Sequence, residues 1–215
     1  MESDSSSGWL LVIPVKVLAR AKSRLTGLGR EDRAGLALAM AADTVAAATA
    51  CPAVGQVIVV TDDDGAREAL SALGATVIGA EPAGGLNAAL TFGAAYAARR
   101  WPAAGVAGLA ADLPALRAAE LGRALAAAAR WPQAFVPDAA GTGTTMYAAV
   151  AGEPFGPRFG PGSRDAHRAS GAAELDLAGV PGLRTDVDTL ADLRIAAAIG
   201  VGPRTRLLAA PVLAG

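Results

Sequence analysis

The sequence predicts one α/β domain with a mostly parallel central sheet, one antiparallel strand and helices on both faces. Apolar runs of strand length alternate with helical patterns along the chain, which is typical of a doubly wound sheet. A Gly/Thr turn at residues 141–144 joins two such runs, and so short a connection predicts an antiparallel pair. The 215 residues contain no repeat or linker that would divide the core. We therefore expect a disordered tail over residues 1–8, one domain over residues 9–202 and a C-terminal tail over residues 203–215.

Each element is assigned from its own pattern. Residues 9–15 form a continuous apolar run, which predicts a strand buried on both faces. Further strands are predicted at residues 54–61, 75–79, 105–111, 133–137, 144–150 and 183–187. Helices are predicted at residues 31–50, 65–73, 85–100, 116–130, 163–170 and 189–199.

The composition excludes several classes of protein. The chain has 19 basic and 20 acidic residues and a net charge of −1, which offers no electrostatic footprint for nucleic acid. The single cysteine, Cys51, excludes a disulfide framework or a cysteine-based metal cluster, and we expect it to be a buried small residue. No stretch of about 20 residues is apolar throughout, and the N-terminus lacks the basic start of a signal peptide. We expect a cytoplasmic protein without membrane contact that acts on a small molecule.

A cationic segment follows the first predicted strand, at the position where open α/β sheets bind ligands. It contains Lys16, Arg20, Lys22 and Arg24, and it lacks the glycine patterns of dinucleotide-binding and P-loop folds. Lys16 and Lys22 are the only lysines in the chain, and lysine supplies a compact charge that suits a phosphate group. The alternative is a solvated basic helix start, although cations are unfavourable at a helix N-terminus.

Acidic residues follow two other predicted strands. Asp112 follows the fourth strand, whereas Asp186 and Asp188 lie at the last one, on one face of an extended segment. Because Mg²⁺ takes one or two carboxylates in addition to substrate phosphates, these acids are candidate metal ligands. The alternatives are helix caps, with Asp112 serving the helix that starts near residue 114 and Asp188 or Thr189 serving the last helix.

The remaining polar residues suggest structural roles. The three aspartates at residues 62–64 are typical of a solvated helix start. For His167, the only histidine, we expect a surface position on a short helix, with contact to a phosphate open to it. A single histidine does not support a Ser–His–Asp or Cys–His arrangement.

Six motifs lie in order between residues 10 and 202. They are IPVK at residues 13–16 with AKSRL at 21–25, GLNAAL at 85–90, ADLPAL at 111–116, GTGT at 141–144, RFGPGS at 158–163 and DVDT at 186–189. This ordered set resembles the signature of the phospholactate/phosphoenolpyruvate guanylyltransferases of coenzyme F(420) biosynthesis. Ala111 departs from the pattern, because glycine is common there. The resemblance implies a Rossmann-like nucleotidyltransferase fold.

The resemblance also implies a role for each matched residue. Asp112, Asp186 and Asp188 would hold Mg²⁺, and Lys22 and Asp112 would be the catalytic residues. The implied binding residues are, for GTP, Lys16, Lys22, Arg24, Gly85 and Asn87 and, for the acceptor, Thr144, Gly160 and Ser163.

The implied reaction is transfer of GMP from GTP to phosphoenolpyruvate with release of pyrophosphate. The Ala- and Arg-rich, nearly lysine-free composition favours phosphoenolpyruvate, the acceptor that the resemblance implies for high-GC actinobacterial genomes. The alternatives are 2-phospho-L-lactate as acceptor, a nucleotidyltransferase for a sugar phosphate or molybdopterin, and an inactive GTP-binding module. The Ala-rich helices permit a homodimer.

Overall fold

The computed structural model describes residues 8–18, 22, 25, 29–79 and 84–214. Two cations of the predicted phosphate-binding segment, Arg20 and Arg24, lie outside the described residues. Residues 1–7 of the expected N-terminal tail also lie outside them. Of the helices in the described parts of the chain, none has the length and apolar character that a membrane crossing requires.

The described elements alternate between strand and helix over most of the chain. The strands are β1 (Trp9–Pro14), β2 (Val54–Val60), β3 (Thr76–Ile78), β4 (Val106–Leu109), β5 (Gln133–Pro137), β6 (Thr144–Ala149) and β7 (Ala173–Glu174). The helices are α1 (Arg30–Thr49), α2 (Asp64–Ser71), α3 (Gly85–Arg100), α4 (Ala118–Ala128), α5 (Ser163–Ala169), α6 (Pro181–Arg184), α7 (Leu190–Ile199) and α8 (Pro203–Ala214).

The strands form one seven-stranded sheet in the order β3-β2-β1-β4-β6-β5-β7. Strand β6 runs antiparallel to β4 and β5, whereas the other pairs are parallel. The predicted mostly parallel sheet with one antiparallel strand is therefore confirmed for the described residues. The chain moves outward from β1 to β3 and then returns to the other side of β1 with β4. The carboxyl ends of β1 and β4 thus border the topological switch point, where such sheets bind ligands.

Strand β1 separates two apolar layers. Leu11 and Ile13 are fully buried in the layer that contains α1 and α4, while Leu10 and Val12 are buried against α3 on the opposite face. Helix α3 approaches the sheet closely at Gly93, where a Cβ would lie 2.4 Å from Val12 Cγ1. Helices therefore cover both faces, as predicted, and the continuous apolar run of β1 has its physical reason.

The C-terminal residues are part of the core, in contrast to the expected tail. Helix α8 packs against α1, and the buried Asp43 carboxylate accepts hydrogen bonds from the Arg204 and Thr205 N–H groups at 3.3 and 2.8 Å. Ala209 of α8 is 2% exposed and belongs to an apolar cluster with side chains of α1 and α7. This cap and this burial stabilise a helix that has no periodic apolar pattern of its own.

The strand predicted at residues 183–187 is wrong. The helical turn α6 covers residues 183 and 184, and residues 185–187 are in neither helix nor strand. Pro181 occupies the first position of this turn, where its fixed φ is favourable. The buried Glu120 carboxylate accepts the Leu183 N–H at 2.9 Å and holds this turn against α4. The seventh strand is instead β7, whose two residues are too few to produce a periodic signal.

Candidate active site

The candidate site lies at the edge of the sheet where β1 and β4 end and β6 begins. Lys22 follows β1, and Asp112 follows β4. Because β6 is antiparallel to β4, its first residue, Thr144, lies at this same edge, and the neighbouring Thr145 carbonyl accepts the Ala110 N–H at 2.9 Å. The topology thus brings together residues that are more than 100 positions apart in the chain.

Lys22 lies between two of the predicted metal ligands. Its ammonium donates to Asp112 Oδ2 and, at 2.9 Å, to Asp188 Oδ1, and its side chain is 11% exposed. Burial lowers the pKa of this amine, but the two carboxylates raise it by more, so its pKa lies above the ordinary value and the charge is retained. Lys22 is also the one non-glycine residue in the described chain with a positive φ, at 54°. Such conformations cost free energy and are typical of functional sites.

Asp186 is the third carboxylate at this edge. Burial raises its pKa to about 7, and the negative charges of Asp112 and Asp188 contribute in the same direction. Across the described residues, however, no group of three or more acidic, histidine or cysteine side chains has the spacing of a metal site. The three aspartates therefore influence one another electrostatically without converging on a single point.

A backbone contact holds the segment of the two later aspartates beside β4. The Val187 N–H donates to the Asp112 carbonyl at 3.1 Å, and the Val187 side chain is fully buried between its two acidic neighbours. Thr189 caps α7 in a reciprocal arrangement with Asp192, as one of the sequence alternatives predicted. The N-cap of α4 is Arg117, so the predicted capping role of Asp112 is not observed and its carboxylate pairs with Lys22.

Thr144 is positioned by a tight turn and by a β-bulge. The Asp138 carboxylate accepts hydrogen bonds from the Thr142 and Gly143 N–H groups, both at 2.9 Å, and a Cβ on Gly143 would lie 2.4 Å from Asp138 Oδ2. The register then shifts by one residue opposite Val136 and Pro137, and Thr145 is the extra residue. Thr144 and Tyr147 are three residues apart, yet both contact one imidazole ring. The register shift therefore places them on the same face of the sheet.

That ring belongs to His167, and its predicted surface position is wrong. His167 is fully buried, since it stacks on Phe135 and Tyr147 at 5.4 and 4.8 Å between ring centroids. Burial lowers its pKa to about 4, so the imidazole is neutral. The sequence contained one usable signal: His167 lies four residues after Ser163, which puts both on one face of α5.

The other predicted acceptor residues lie around the start of α5. Ser163 is its first residue and is 2% exposed, and its N–H donates to the Gly160 carbonyl at 3.1 Å. Gly160 has a φ of 134°, and no atom lies within 4 Å of the place where its Cβ would be. The segment therefore presents backbone that a small ligand can approach closely.

Three of the predicted nucleotide residues, Lys16, Gly85 and Asn87, lie just after β1 and in the first turn of α3. Lys16 is exposed just after β1, and Gly85 starts α3 with a φ of 76°. The Asn87 amide is paired with the backbone of Phe159: its Nδ2 donates to the Phe159 carbonyl at 2.9 Å, and its Oδ1 accepts the Phe159 N–H at 2.8 Å. Asn87 thus connects the start of α3 to the acceptor segment.

Sequence reasoning missed the ion pairs behind this edge. Arg164 donates to the Gly141 carbonyl at 2.9 Å and to the Glu174 carboxylate at 2.6 Å, and Arg168 donates to the same carboxylate at 2.5 Å. Hydrogen bonds from Arg164 are the main cause of a lowered pKa at Glu174. Through these contacts, strand β7 supports the turn that leads to Thr144.

The sheet order and its switch point are those of the Rossmann-like nucleotidyltransferase fold. A solved 4-diphosphocytidyl-2C-methyl-D-erythritol synthase from Anaerococcus prevotii is similar, with a TM-score of 0.59, 10% identity, and coverage of 91% of this chain and 97% of that chain. A CMP:2-keto-3-deoxy-manno-octonic acid synthetase solved with CTP has a TM-score of 0.56, 16% identity, and coverage of 89% and 98%. At such identities these likenesses show the fold alone.

The chain belongs to the family described as "Guanylyl transferase CofC like", whose pattern matches residues 10–163. It is 59% identical over 207 residues to a phosphoenolpyruvate guanylyltransferase of Thermomonospora curvata, covering 96% of this chain and 91% of the relative. A phosphoenolpyruvate guanylyltransferase of Streptomyces coelicolor is 59% identical over 206 residues, with coverage of 95% and 97%. The family resemblance predicted from the six motifs is confirmed.

Proposed function

We propose that this chain transfers GMP from GTP to phosphoenolpyruvate, with release of pyrophosphate, in coenzyme F(420) biosynthesis. The observation that carries the proposal is the Lys22 ammonium held between Asp112 and Asp188 at the switch point of the sheet. Two polyanionic substrates that react with each other require a positive charge at the reacting phosphates, and carboxylates beside it can hold a metal ion that adds to that charge. The choice of nucleotide and acceptor rests on the relatives that share 59% identity and carry this activity in their names.

Mg²⁺ is the cation that we propose for Asp112, Asp186 and Asp188. Carboxylate oxygens are its preferred protein ligands, and the ion pairs of Lys22 with Asp112 and Asp188 support the proposal for these two acids. The raised pKa of Asp186 fits as well, because an additional cation would favour its ionised form. One or two of these carboxylates together with phosphate oxygens would suffice, so three convergent side chains are not required. When bound, Mg²⁺ would neutralise charge on the phosphates that react.

Two groups of residues would bind the two substrates. For GTP we propose Lys22 and the exposed Lys16 at the triphosphate, Arg24 of the same segment, and Gly85 and Asn87 near the guanosine. For the acceptor we propose the hydroxyls of Thr144 and Ser163 and the open backbone at Gly160.

The proposed reaction needs no general base. An oxygen of the acceptor's phosphate is already ionised near neutral pH and forms the new bond to the α-phosphorus of GTP. The bond between that phosphorus and the bridging oxygen to the β-phosphate breaks, and pyrophosphate leaves with the electron pair. Lys22 would stabilise the negative charge of the phosphates during this exchange. The single histidine is consistent with this chemistry, because both of its ring nitrogens are engaged inside the protein.

The closest alternative keeps the reaction and changes the acceptor to 2-phospho-L-lactate. The two acceptors differ only in a carbon–carbon double bond, which is a single bond to a methyl group in phospholactate. A difference of this size is typically worth about 1–3 kcal/mol, so some activity with both is expected. An inactive GTP-binding module is the alternative outside catalysis, and the Lys22–Asp112 pair argues against it. We also propose a cytoplasmic location, and the Ala-rich helices would permit a homodimer.

Pyrophosphate release tests the proposal. The protein is incubated with GTP, Mg²⁺ and a panel of three-carbon phosphoacids, and Asp112→Asn serves as the matched inactive control. We expect release with phosphoenolpyruvate and none from the control. Binding of GTP without release of pyrophosphate from any acceptor would favour the inactive module instead.

A further inference from the structure

His167 uses both of its ring nitrogens and stacks on two aromatic rings. Its Nε2 lies 2.8 Å from the Arg158 backbone nitrogen, which can only donate, so Nε2 carries no proton. In the neutral ring the proton therefore sits on Nδ1, which lies 3.0 Å from Thr144 Oγ1 and donates to it. Stacking on Phe135 and Tyr147 fixes the plane of the ring. A phenylalanine would fill the same space and provide neither hydrogen bond.

The hydrogen bond to Thr144 determines what this hydroxyl offers to a ligand. A hydroxyl has one proton and two acceptor lone pairs. Because Nδ1–H of His167 occupies one lone pair, the hydroxyl proton remains available to donate to an anionic oxygen. The imidazole thereby orients the Thr144 side chain as a donor before any ligand arrives.

The hydrogen bond from Arg158 holds the segment that leads to Gly160. His167 binds the N–H of Arg158 from α5, and Asn87 binds the N–H and carbonyl of Phe159 from α3. Two consecutive residues are therefore fixed by side chains from opposite sides. A protonated imidazole would direct an Nε2–H at the Arg158 N–H, so only the neutral ring supports this arrangement.

We propose that His167 is a positioning residue for the acceptor: its neutral imidazole couples Thr144 on β6 to the Arg158–Gly160 segment and sets the geometry of the acceptor pocket. The inference rests on the proposed acceptor site at Thr144, Gly160 and Ser163. His167 contacts Thr144 and the backbone of Arg158 and acts through them. Its hydrogen bonds go to Thr144 and Arg158 rather than to Lys22 or Asp112, so we expect its loss to affect acceptor binding more than nucleotide binding.

Steady-state kinetics of three variants test this role. His167→Phe keeps the stacking and removes both hydrogen bonds, His167→Gln restores an acceptor for the Arg158 N–H, and Phe135→Leu disturbs the stacking alone. We expect the KM for phosphoenolpyruvate to rise about tenfold or more in His167→Phe, and less in His167→Gln. The KM for GTP should stay within about twofold in all three. Equal effects of His167→Phe and Phe135→Leu on the acceptor KM would overturn the positioning role.

Hydrogen exchange separates this inference from the proposed function. Amide exchange of residues 156–162 is followed by mass spectrometry without substrate, and we expect faster exchange in His167→Phe than in wild type or Phe135→Leu. Unchanged exchange in His167→Phe would overturn the positioning role whatever the acceptor is. A wild-type protein that does not turn over phosphoenolpyruvate would overturn the proposed function and leave this exchange result to be judged independently.

Discussion

The stability of this protein should fall in mild acid because of one buried imidazole. His167 is fully buried, and this burial lowers its pKa to about 4 from an ordinary value of 6.5. The nearby Arg158 charge also lowers the pKa, whereas a hydrogen bond with the Ser163 backbone raises it. The unfolded chain therefore binds a proton at a pH where the folded chain does not. The free energy of unfolding should decrease as the pH falls from about 6.5 towards 4, and below that this contribution should stay constant.

The two pKa values give the size of the effect. The full difference between the folded and unfolded pKa values corresponds to about 3 kcal/mol of unfolding free energy. At about pH 5, the expected loss of unfolding free energy relative to about pH 7.5 is roughly 2 kcal/mol. His167→Phe removes the titrating group and keeps an aromatic ring in contact with Phe135 and Tyr147. Its own stability at neutral pH should be lower by about 1–3 kcal/mol, because the Arg158 N–H loses its partner.

Urea unfolding at both pH values isolates this contribution. The loss of unfolding free energy between about pH 7.5 and 5 is measured for wild type and for His167→Phe, and the carboxylate contributions common to both cancel in the difference. We expect wild type to lose roughly 2 kcal/mol more than the variant. An equal loss in both proteins would refute the assignment of His167 as a neutral buried group.

Three further predictions concern the site itself. Asp112→Asn should reduce kcat by about a thousandfold or more at saturating Mg²⁺ with an unchanged far-ultraviolet circular dichroism spectrum, and a near-normal rate would exclude Asp112 from the site. Lys22→Ala should weaken GTP binding by about tenfold or more in titration calorimetry, whereas Lys16→Ala, at an exposed position, should have a smaller effect. A larger effect of Lys16→Ala would contradict the assignment of Lys22 as the main triphosphate ligand. Asn87→Ala should lower the free energy of unfolding by about 1–3 kcal/mol, because Phe159 loses two hydrogen bonds, and a loss below about 0.5 kcal/mol would contradict their importance.

The central sheet was predictable because each buried strand carries its own signal. The apolar run of β1 and the close Gly/Thr connection before β6 are local features, and the alternation of strands with helices then determines a parallel sheet. The position of Asp112 at a strand end was predictable for the same reason. Lys22 was predictable from its residue type and its place after β1, although its contact with Asp188 depends on the path of residues 185–188.

The elements that could not be predicted depend on partners distant in the chain. Helix α8 is capped by Asp43, which is about 160 residues earlier in the chain, and no local pattern reveals such a partner. Helix α6 depends on Glu120 in the same way. The burial of His167 depends on Phe135 and Tyr147 from two strands, whose register is set by a bulge at Thr145. In each case tertiary contacts override a weak local preference.

Mass analysis of the product from a mixture of acceptors tests the central claim most directly. The protein is incubated with GTP, Mg²⁺ and equal concentrations of phosphoenolpyruvate and 2-phospho-L-lactate. The two possible guanylylated products are then separated by chromatography and quantified by mass spectrometry. Product ratios in such a competition report the ratio of the two kcat/KM values. We predict that enolpyruvyl-diphosphoguanosine predominates and that pyrophosphate forms in equal amount. Predominance of the phospholactate product would contradict the acceptor assignment, and the absence of any guanylylated product would contradict the reaction itself.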